Sequence, residues 1–331
     1  MMDQLIENFP KQLREALTIG AGLDLHARPD NIHEIVIFGM GGSGIGGNFV
    51  QSLVFDECTV PVHVLKGYEV PAFADKNTFV IISSYSGNTE ESLAACRLAH
   101  QKGCFIVCIS SGGGLQKLAS DNGLVFVAMP PGSSSPRACL GYSLVLQLAV
   151  LEKYAFISRG FTESFRVASD LIKFEKEEII TKAKTIAAQL LNNLVVIYST
   201  DRYEPAAVRL RQQLNENAKM LCWHHVFPEM NHNELVGWAE KYPLTVIFLR
   251  NKDDLKKNIR RMDICKEIIS EKAQTCIEIY SKGQNRVERM VYSIHLFDWI
   301  SWYAADLKKI DATEIRVINY LKSELEKDNI V

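Results

Sequence analysis

The stretch F79-V-I-I-S-S-Y-S-G-N-T-E-E-S92 decides the fold of this chain. Phe79 to Ile82 are four consecutive apolar residues, which predict a short buried strand. The strand ends in a hydroxyl-rich loop. The loop opens a helix with Asn88 as the expected cap and Glu91, three residues on, as its reciprocal partner. A strand that passes through a loop into a helix is the repeating unit of a parallel α/β sheet.

The loop in this stretch is unusually rich in hydroxyl groups. Ser83, Ser84, Ser86 and Thr89 surround Gly87 at the start of the predicted helix. An ordinary helix cap needs one hydroxyl group, and this loop has four. Hydroxyl groups and backbone N–H groups at a helix N-terminus bind a compact anion without any lysine. The sequence therefore predicts a phosphate-binding loop.

Strands alternate with helices on both sides of this stretch. In the first half we predict strands at 34–38, 60–65, 79–82, 105–110 and 124–129, and a long apolar helix at 138–154. In the second half we predict strands at 194–199, 244–249 and 275–280, with helices at 205–219, 253–271 and 284–308. This order predicts an α/β fold of two similar subdomains, each a parallel sheet flanked by helices in three layers.

The second half differs from the first at one point. Its strand after Leu244 ends in R250-N-K-D-D254, which has no hydroxyl-rich loop. We therefore expect one phosphate loop per chain. With 331 residues the chain is about twice the usual domain length. We predict a helical segment at 1–19, subdomains at 20–155 and 156–310, and a tail at 311–331 that contributes to the site.

Composition indicates which partners and compartment to expect. A formal net charge of −2 gives no electrostatic reason to expect nucleic acid or an anionic membrane as a partner. The first residues lack the basic start and apolar run of a signal peptide, and the most apolar helix is too short to span a bilayer. Eight cysteines without a C-x-x-C pair predict reduced, mostly buried thiols. We expect a cytoplasmic protein.

A dinucleotide cofactor is one alternative that the sequence raises. G39-M-G-G-S-G44 follows a strand and matches the G-x-G-x-x-G pattern of dinucleotide-binding folds. That pattern requires an acidic residue at the end of the next strand to hold a ribose. Here the next strand runs into Lys66 and Gly67, and Glu69 lies two residues further along. A nicotinamide cofactor is therefore the less favoured interpretation, and we expect no cofactor.

A metal site is a second alternative. His224, His225, His232 and Glu234 lie within eleven residues of one another. However, neither H-x-x-x-H on a helix nor H-E-x-x-H occurs, and two adjacent histidines on a strand point to opposite faces. We expect no metal.

Four motifs carry a resemblance to a known family. They are M40-G-G-S-G-I-G-G47, S84-Y-S-G-N-T89, the Pro136-Arg137 pair before an apolar helix, and N231-H-N-E234. In this order, over nearly the whole chain, they resemble the sugar isomerase (SIS) domain family. More closely, they are similar to the bifunctional phosphoglucose/phosphomannose isomerases.

The resemblance implies two SIS-type subdomains and a cofactor-free aldose–ketose isomerase. It would interconvert glucose 6-phosphate, and mannose 6-phosphate as well, with fructose 6-phosphate through a cis-enediol. The implied setting is the cytoplasm, in glycolysis and gluconeogenesis. The implied assembly is a homodimer.

The resemblance also implies roles for residues of the first half. Ser84, Ser86 and Thr89 match the phosphate-binding residues of the family, and Ser43 supports them from the glycine loop, where Gly42 lies beside the substrate. Arg137 matches an arginine that stabilises the developing enediolate.

In the second half, Glu216 matches the carboxylate that transfers the proton between two carbons. His232 matches a ring-opening histidine that reaches the active site of the partner subunit. The amides of Asn231 and Asn233 are expected to hold its ring in one tautomer. In the tail, Lys322 matches a lysine assigned to ring opening or substrate contact, with Lys308 and Lys309 as competitors. Thr313 is the nearest candidate for a substrate-contacting threonine.

Two other functions remain as alternatives. One is a different SIS-domain isomerase that acts on aminosugar or pentose phosphates. The other is a non-catalytic regulator that senses a sugar phosphate. A sensor of that kind would bring a DNA-binding helix-turn-helix, which neither the N-terminal helix nor the net charge supports.

Overall fold

The computed structural model of the chain describes residues 1–325 and 327. The strands are β1 (Glu34–Phe38), β2 (Val62–Leu65), β3 (Thr78–Ser83), β4 (Phe105–Ser110), β5 (Val125–Ala128), β6 (Leu194–Thr200), β7 (Cys222–Phe227), β8 (Tyr242–Arg250) and β9 (Ala273–Tyr280). The helices are α1 (Met2–Glu7), α2 (Phe9–Ala21), α3 (Gly41–Val54), α4 (Glu90–Gln101), α5 (Gly113–Asp121), α6 (Leu140–Lys153), α7 (Ser164–Phe174), α8 (Lys176–Leu190), α9 (Glu204–Glu216), α10 (Lys256–Ser270), α11 (Arg286–Leu307) and α12 (Arg316–Leu325).

The chain divides into two compact units. The first unit comprises Leu5–Lys176 and Ser281–His295. The second unit comprises Met1–Gln4, Glu177–Tyr280 and the described residues from Leu296 onward. Each unit contains one parallel sheet.

The sheet of the first unit has five strands in the order β2-β1-β3-β4-β5, all parallel. Strand β3 is central, and all six of its residues are buried because helices cover both faces of the sheet. Helix α6 packs against α2 and α3, and its residues from Leu140 to Leu151 are all buried. A helix that is apolar on every side belongs in the interior of a protein. The continuous apolar runs in the sequence therefore mark the core of this unit.

The sheet of the second unit has four parallel strands in the order β7-β6-β8-β9. The prediction for the fold class is confirmed, because both units are parallel sheets flanked by helices. Strand β7 was not predicted, since Cys222–Phe227 contains two histidines and a partly exposed Trp223. Such residues are tolerated there because β7 is at the edge of its sheet.

Two other features differ from or add to the sequence predictions. The segment after Asp311, predicted only as a tail, forms helix α12, none of whose residues is buried. The eight cysteines all lie within the described residues and form no disulfide, and five of them are buried, as predicted for the majority. Over residues 1–325 and 327, helices that combine enough length with enough apolar character to cross a bilayer are absent.

Candidate active site

The loop between β3 and α4 covers residues 84–89 and contains three of the predicted phosphate ligands. Ser84 is buried, and its Oγ lies 3.0 Å from Thr89 Oγ1. Ser86 is exposed, and its Oγ accepts a hydrogen bond from the backbone N–H of Asn88 at 3.2 Å. These hydroxyl groups lie at the N-terminus of a 12-residue helix. The first backbone N–H groups of a helix have no partner within it, so this end favours an anion.

The predicted capping box at this helix is wrong. Thr89 is the N-cap residue of α4, and no side chain at the cap position accepts a hydrogen bond. Asn88 Oδ1 instead accepts a hydrogen bond from the backbone N–H of Gly114 at 2.8 Å. Asn88 therefore caps the neighbouring helix α5, because the loop after β4 lies directly against it.

Loops at the same edge of the sheet pack tightly around residues 84–89. Gly87 has a φ of +70°, and a Cβ built on it would lie 1.8 Å from the carbonyl oxygen of Gly112. Only glycine fits at this position. On the other side, the backbone N–H of Tyr85 donates to Ser43 Oγ at 3.2 Å. Ser43 is thus in direct contact with the loop between β3 and α4, at the residue next to Ser84.

Arg137 lies beside the glycine-rich loop. It is buried in a 3₁₀ turn, Pro136–Cys139, that leads into α6. A Cβ built on Gly42 would lie 3.0 Å from Arg137 Cα, so the two backbones are in contact. Gln12 Nε2 donates to the carbonyl oxygen of Ala138 at 2.7 Å and fixes this turn from α2. The first unit therefore brings together Gly42, Ser43, Ser84, Thr89 and Arg137 through the contacts of three loops.

Tyr85 links the phosphate loop to the segment before Arg137. Its hydroxyl group donates to the carbonyl oxygen of Pro130 at 3.0 Å and accepts from the backbone N–H of Ser133 at 3.0 Å. Burial raises the pKa of Tyr85 to about 12, so the hydroxyl group keeps its proton at neutral pH. The sequence analysis missed this residue, although a large aromatic residue within a run of small polar residues is a signal that could have indicated an anchor.

The position where a dinucleotide fold holds its ribose has a different character here. Strand β2 ends at Leu65, and the next residue, Lys66, donates from Nζ to Asn48 Oδ1 at 2.5 Å. A cation at this position is opposite in charge to the carboxylate that would hold a ribose. This observation favours the sugar-phosphate interpretation of the glycine-rich loop.

In the second unit, Glu216 is the last residue of α9 and is half-buried. Lys219, three residues after Glu216, has a φ of +51°. Its Nζ donates to the carbonyl oxygen of Glu216 at 2.9 Å. The same Nζ donates to the carbonyl oxygen of Asp311 at 2.8 Å. Lys219, which the sequence analysis missed, thus joins the end of α9 to the segment that contains Thr313.

The C-terminal segment contains the remaining candidates. Thr313 donates from its backbone N–H and from Oγ1 to Asp311 Oδ1, at 2.8 and 2.7 Å. Lys308 donates from Nζ to the carbonyl oxygen of Ala218 at 2.8 Å. Lys322 is exposed on α12. Lys308 is thus used to brace the end of α9, while Lys322 projects from a surface helix.

His232 is exposed at the end of a 3₁₀ turn, Glu229–His232. The expectation that its neighbouring amides hold its ring is not met. Asn231 Nδ2 lies 2.9 Å from Cys265 Sγ, and Asn233 Nδ2 donates to Glu229 Oε1 at 2.8 Å. Both amide groups therefore fix the turn itself.

The histidines considered as metal ligands have other contacts. His224 and His225 are neighbours on β7, so they point to opposite faces. His224 Nε2 lies 3.3 Å from Glu204 Oε1, and His225 Nδ1 accepts from the backbone N–H of Val226 at 2.8 Å. Within the part of the chain that the structure describes, no three His, Cys, Asp or Glu residues form a group that could hold a metal ion.

The fold is shared with solved structures of phosphosugar proteins. A putative phosphosugar isomerase from Clostridium difficile 630 superposes with a TM-score of 0.77 over 95% of each chain, at 16% sequence identity. At that identity, the similarity concerns the fold alone. Residues 179–325 also match the family model described as the bacterial phospho-glucose isomerase C-terminal SIS domain. The fold and this family match together indicate a SIS-domain protein.

Curated relatives identify the family more closely. A bifunctional phosphoglucose/phosphomannose isomerase from Caldicellulosiruptor bescii is 38% identical over 335 residues, which cover 98% of this chain and 98% of the relative. A protein of the same name from Aquifex aeolicus is 33% identical over 299 residues, covering 88% of this chain and 90% of the relative. The chain belongs to the bifunctional phosphoglucose/phosphomannose isomerase family.

Proposed function

We propose that this protein interconverts glucose 6-phosphate and mannose 6-phosphate with fructose 6-phosphate. The observation that carries the proposal is the cluster in the first unit, where Ser84 and Thr89 lie at a helix N-terminus with Ser43 in contact with their loop. The names of the relatives, which are similar over nearly the whole chain, support the same reaction.

In this proposal, the hydroxyl groups of Ser84, Ser86 and Thr89 bind the phosphate group of the sugar. Their hydrogens can rotate toward the phosphate oxygens, and the backbone N–H groups at the start of α4 add further donors. The helix dipole stabilises the negative charge, so no lysine is required. Ser43 holds the loop from the side.

Arg137 supplies the positive charge that the reaction needs. Abstraction of a proton next to a carbonyl group develops negative charge on the substrate oxygens. Arg137 is buried, and a fixed cation in a site shielded from water stabilises such charge more than an exposed one. Glycine at residue 42 lets the glycine-rich loop approach Arg137 closely, since an added Cβ would lie 3.0 Å from Arg137 Cα.

We propose that Glu216 moves the proton. In the open-chain sugar, Glu216 removes the proton from C2 of the aldose and returns it to C1, while the hydroxyl and carbonyl oxygens exchange a proton. Substrate and product are isomers, so the reaction balances without a redox cofactor. His232 and Lys322 assist the preceding ring opening, and Thr313 contacts the substrate near C2. General acid–base groups of this kind contribute about 10²- to 10⁴-fold to a rate.

We further propose a homodimer in the cytoplasm, where the reaction serves glycolysis and gluconeogenesis, with His232 acting in the partner's active site. The exposure of His232 and the eight free thiols support this. Mixing His232→Ala with Glu216→Gln, each strongly impaired alone, tests it. If His232 acts across the dimer, random exchange of subunits should restore about a quarter of the activity. Should the mixture stay inactive although the subunits exchange, His232 acts within its own subunit.

The main test is an enzyme-coupled assay with glucose 6-phosphate and with mannose 6-phosphate, each with and without EDTA. We expect metal-independent turnover of both sugars by the wild-type protein. Glu216→Gln should lower kcat about 10³-fold or more, since Gln cannot accept the proton, while sugar-phosphate binding is retained. Glu240→Gln changes an exposed glutamate of the same unit and is the matched control. Wild-type kcat in Glu216→Gln would contradict the assignment.

A further inference from the structure

The turn that carries His232 is fixed on both sides. Two residues before it, Met230 is fully buried in the core of the second unit, in one cluster with Tyr198 and Trp238. Two residues after it, Glu234 begins a second 3₁₀ turn, Glu234–Gly237, with the side chain of Asn233 accepting from its backbone N–H. His232 is therefore an exposed residue between two anchors.

The anchor at Glu234 is a carboxylate that accepts from two side chains, Tyr198 and Trp223, and a third side chain donates to Tyr198. Tyr198 OH donates to Glu234 Oε1 at 2.5 Å, and Trp238 Nε1 donates to Tyr198 OH at 3.0 Å. Trp223 Nε1 lies 3.4 Å from the same carboxylate oxygen. A short hydrogen bond to a carboxylate is stronger than one between neutral groups.

Tyr198 is a rigid part of this arrangement. It is fully buried on β6, a strand paired on both sides with β7 and β8. Burial raises the pKa of Tyr198, and the neighbouring Glu234 raises it further, so the hydroxyl group stays a donor at any physiological pH. The aromatic ring fills the core, and the hydroxyl group connects Trp238 to Glu234. A phenylalanine would keep almost the same volume and lose both hydrogen bonds.

We propose that the Tyr198–Glu234 hydrogen bond positions the turn that presents His232 for ring opening. Tyr198 and Glu234 are positioning residues here, because they act through the backbone on either side of His232 and not on the sugar. This inference rests on the proposed isomerase function. It adds a role for Glu234 and for a tyrosine 36 residues away in sequence.

The test is a double-mutant cycle on kcat with glucose 6-phosphate. Tyr198→Phe should lower kcat about 10-fold with KM nearly unchanged, the loss expected when a hydrogen bond to a charged group is removed. In the His232→Ala background the same change should have no further effect, because the residue to be positioned is gone. If Tyr198 had a merely structural role, its fold-loss in kcat would multiply with that of His232→Ala in the double variant.

Three further variants complete the design. Tyr154→Phe removes a buried tyrosine hydroxyl group of the first unit that has no hydrogen-bond partner among residues 1–325 and 327, and should leave kcat within about two-fold. Glu234→Ala should match Tyr198→Phe, which keeps the proposal testable if Tyr198→Phe does not fold. Glu234→Gln, which keeps a side-chain oxygen to accept the tyrosine hydrogen, should recover most of the loss.

A readout that does not depend on activity separates this inference from the proposed function. In a ¹H–¹⁵N correlation spectrum of the histidine rings, the His232 signals should shift or broaden in Tyr198→Phe and not in Tyr154→Phe. An inactive wild-type protein would overturn the proposed function, while the spectrum still decides on the positioning. Wild-type kcat together with unchanged His232 signals in Tyr198→Phe and Glu234→Ala would overturn the inference.

Discussion

The loop after β3 and the loop after β8 occupy the same topological position in the two units. Strand β3 lies between β1 and β4, and β8 lies between β6 and β9. Each strand is followed by a short loop and then by a helix, α4 or α10. Their contents differ. The first loop carries hydroxyl groups, whereas the second, residues 251–255, carries two aspartates.

In the second loop, the carboxylate of Asp254 occupies the hydrogen-bond donors. Asp254 accepts hydrogen bonds from Thr200 Oγ1 at 2.7 Å and from the backbone N–H of Asn251 at 3.2 Å. A hydroxyl group and a backbone N–H group are the donors that a phosphate would use. Arg250, just before the loop, is paired with Glu278 at 2.7 Å and Asp263 at 3.1 Å. We therefore expect the loop sequence, and not the position in the fold, to decide whether an anion binds.

The largest expected effect comes from a substitution that disrupts the first loop. In Gly87→Ala the new Cβ would lie 1.8 Å from the Gly112 carbonyl oxygen, so the loop has to rebuild. We expect KM for glucose 6-phosphate to rise about 100-fold or more, equivalent to the loss of about 2.8 kcal/mol of binding. Steady-state kinetics measure this change.

Gly123→Ala is the matched control for that variant. Gly123 has a φ of +63°, so alanine there has a similar backbone strain, but no atom lies within 4 Å of the added Cβ. We expect a cost of about 1 kcal/mol in stability and no change in KM. An equal rise of KM in both variants would mean that strain, and not the shape of the phosphate loop, governs binding.

A smaller effect is expected from removing one hydroxyl group. Ser84→Ala takes away a buried donor that lies 3.0 Å from Thr89 Oγ1. Loss of a hydrogen bond to a charged ligand costs about 1.5 to 3 kcal/mol, so KM should rise at least about 10-fold. Thr200→Val is the equivalent change beside the second loop and should leave KM unchanged. A rise of KM in Thr200→Val would remove the distinction between the two loops.

The stability of the two units should also change with pH in opposite directions. His295 in the first unit is stacked on Phe9, and burial lowers its pKa from 6.5 to about 3. As pH falls below 6.5, the unfolded chain binds a proton that the folded chain does not, so stability falls. Between pH 6.5 and 5.5 we expect a loss of about 1 kcal/mol. Urea unfolding should show that His295→Leu lacks this loss; an unchanged pH dependence would contradict the assignment.

A pH effect of the opposite sign is expected from Asp254 in the second unit. Burial raises the pKa of Asp254 from 3.8 to about 6, although the Thr200 hydroxyl group lowers it in part. The folded chain therefore holds a proton that the unfolded chain loses as pH rises from about 4 to about 6, so stability falls across this window. Hydrogen exchange of amides in the second unit, compared at pH 4.5 and 6.5, measures this fall in stability. The fall should be absent in Asp254→Asn. An identical pH dependence in the wild-type protein and in Asp254→Asn would show that Asp254 does not cause this loss of stability.

The sequence predicted the elements that depend on local pattern. Strand β3 was predicted because its apolar residues are consecutive, and α6 because it is apolar along its whole length. Contacts between distant segments could not be predicted in this way. Asn88 accepts a hydrogen bond from a helix N–H group 26 residues away in sequence, and Tyr198 donates to Glu234, 36 residues away. Strand β7 was missed because an edge strand needs no apolar run.

The same limit applies to the candidate site. The serines and Thr89 could be predicted as a group, because they are neighbours in the sequence. The contacts of Arg137 with Gly42 and of Tyr85 with residues 130–133 depend on the packing of loops from different strands. Spacing within one motif gives no information about such contacts.

A crystal structure of the protein with bound fructose 6-phosphate would show directly which loop holds the phosphate group. We expect the phosphate oxygens to lie within hydrogen-bond distance of Ser84 Oγ, Ser86 Oγ and Thr89 Oγ1, with Asp254 still bonded to Thr200. Phosphate bound at residues 251–255, or bound away from both loops, would contradict the account.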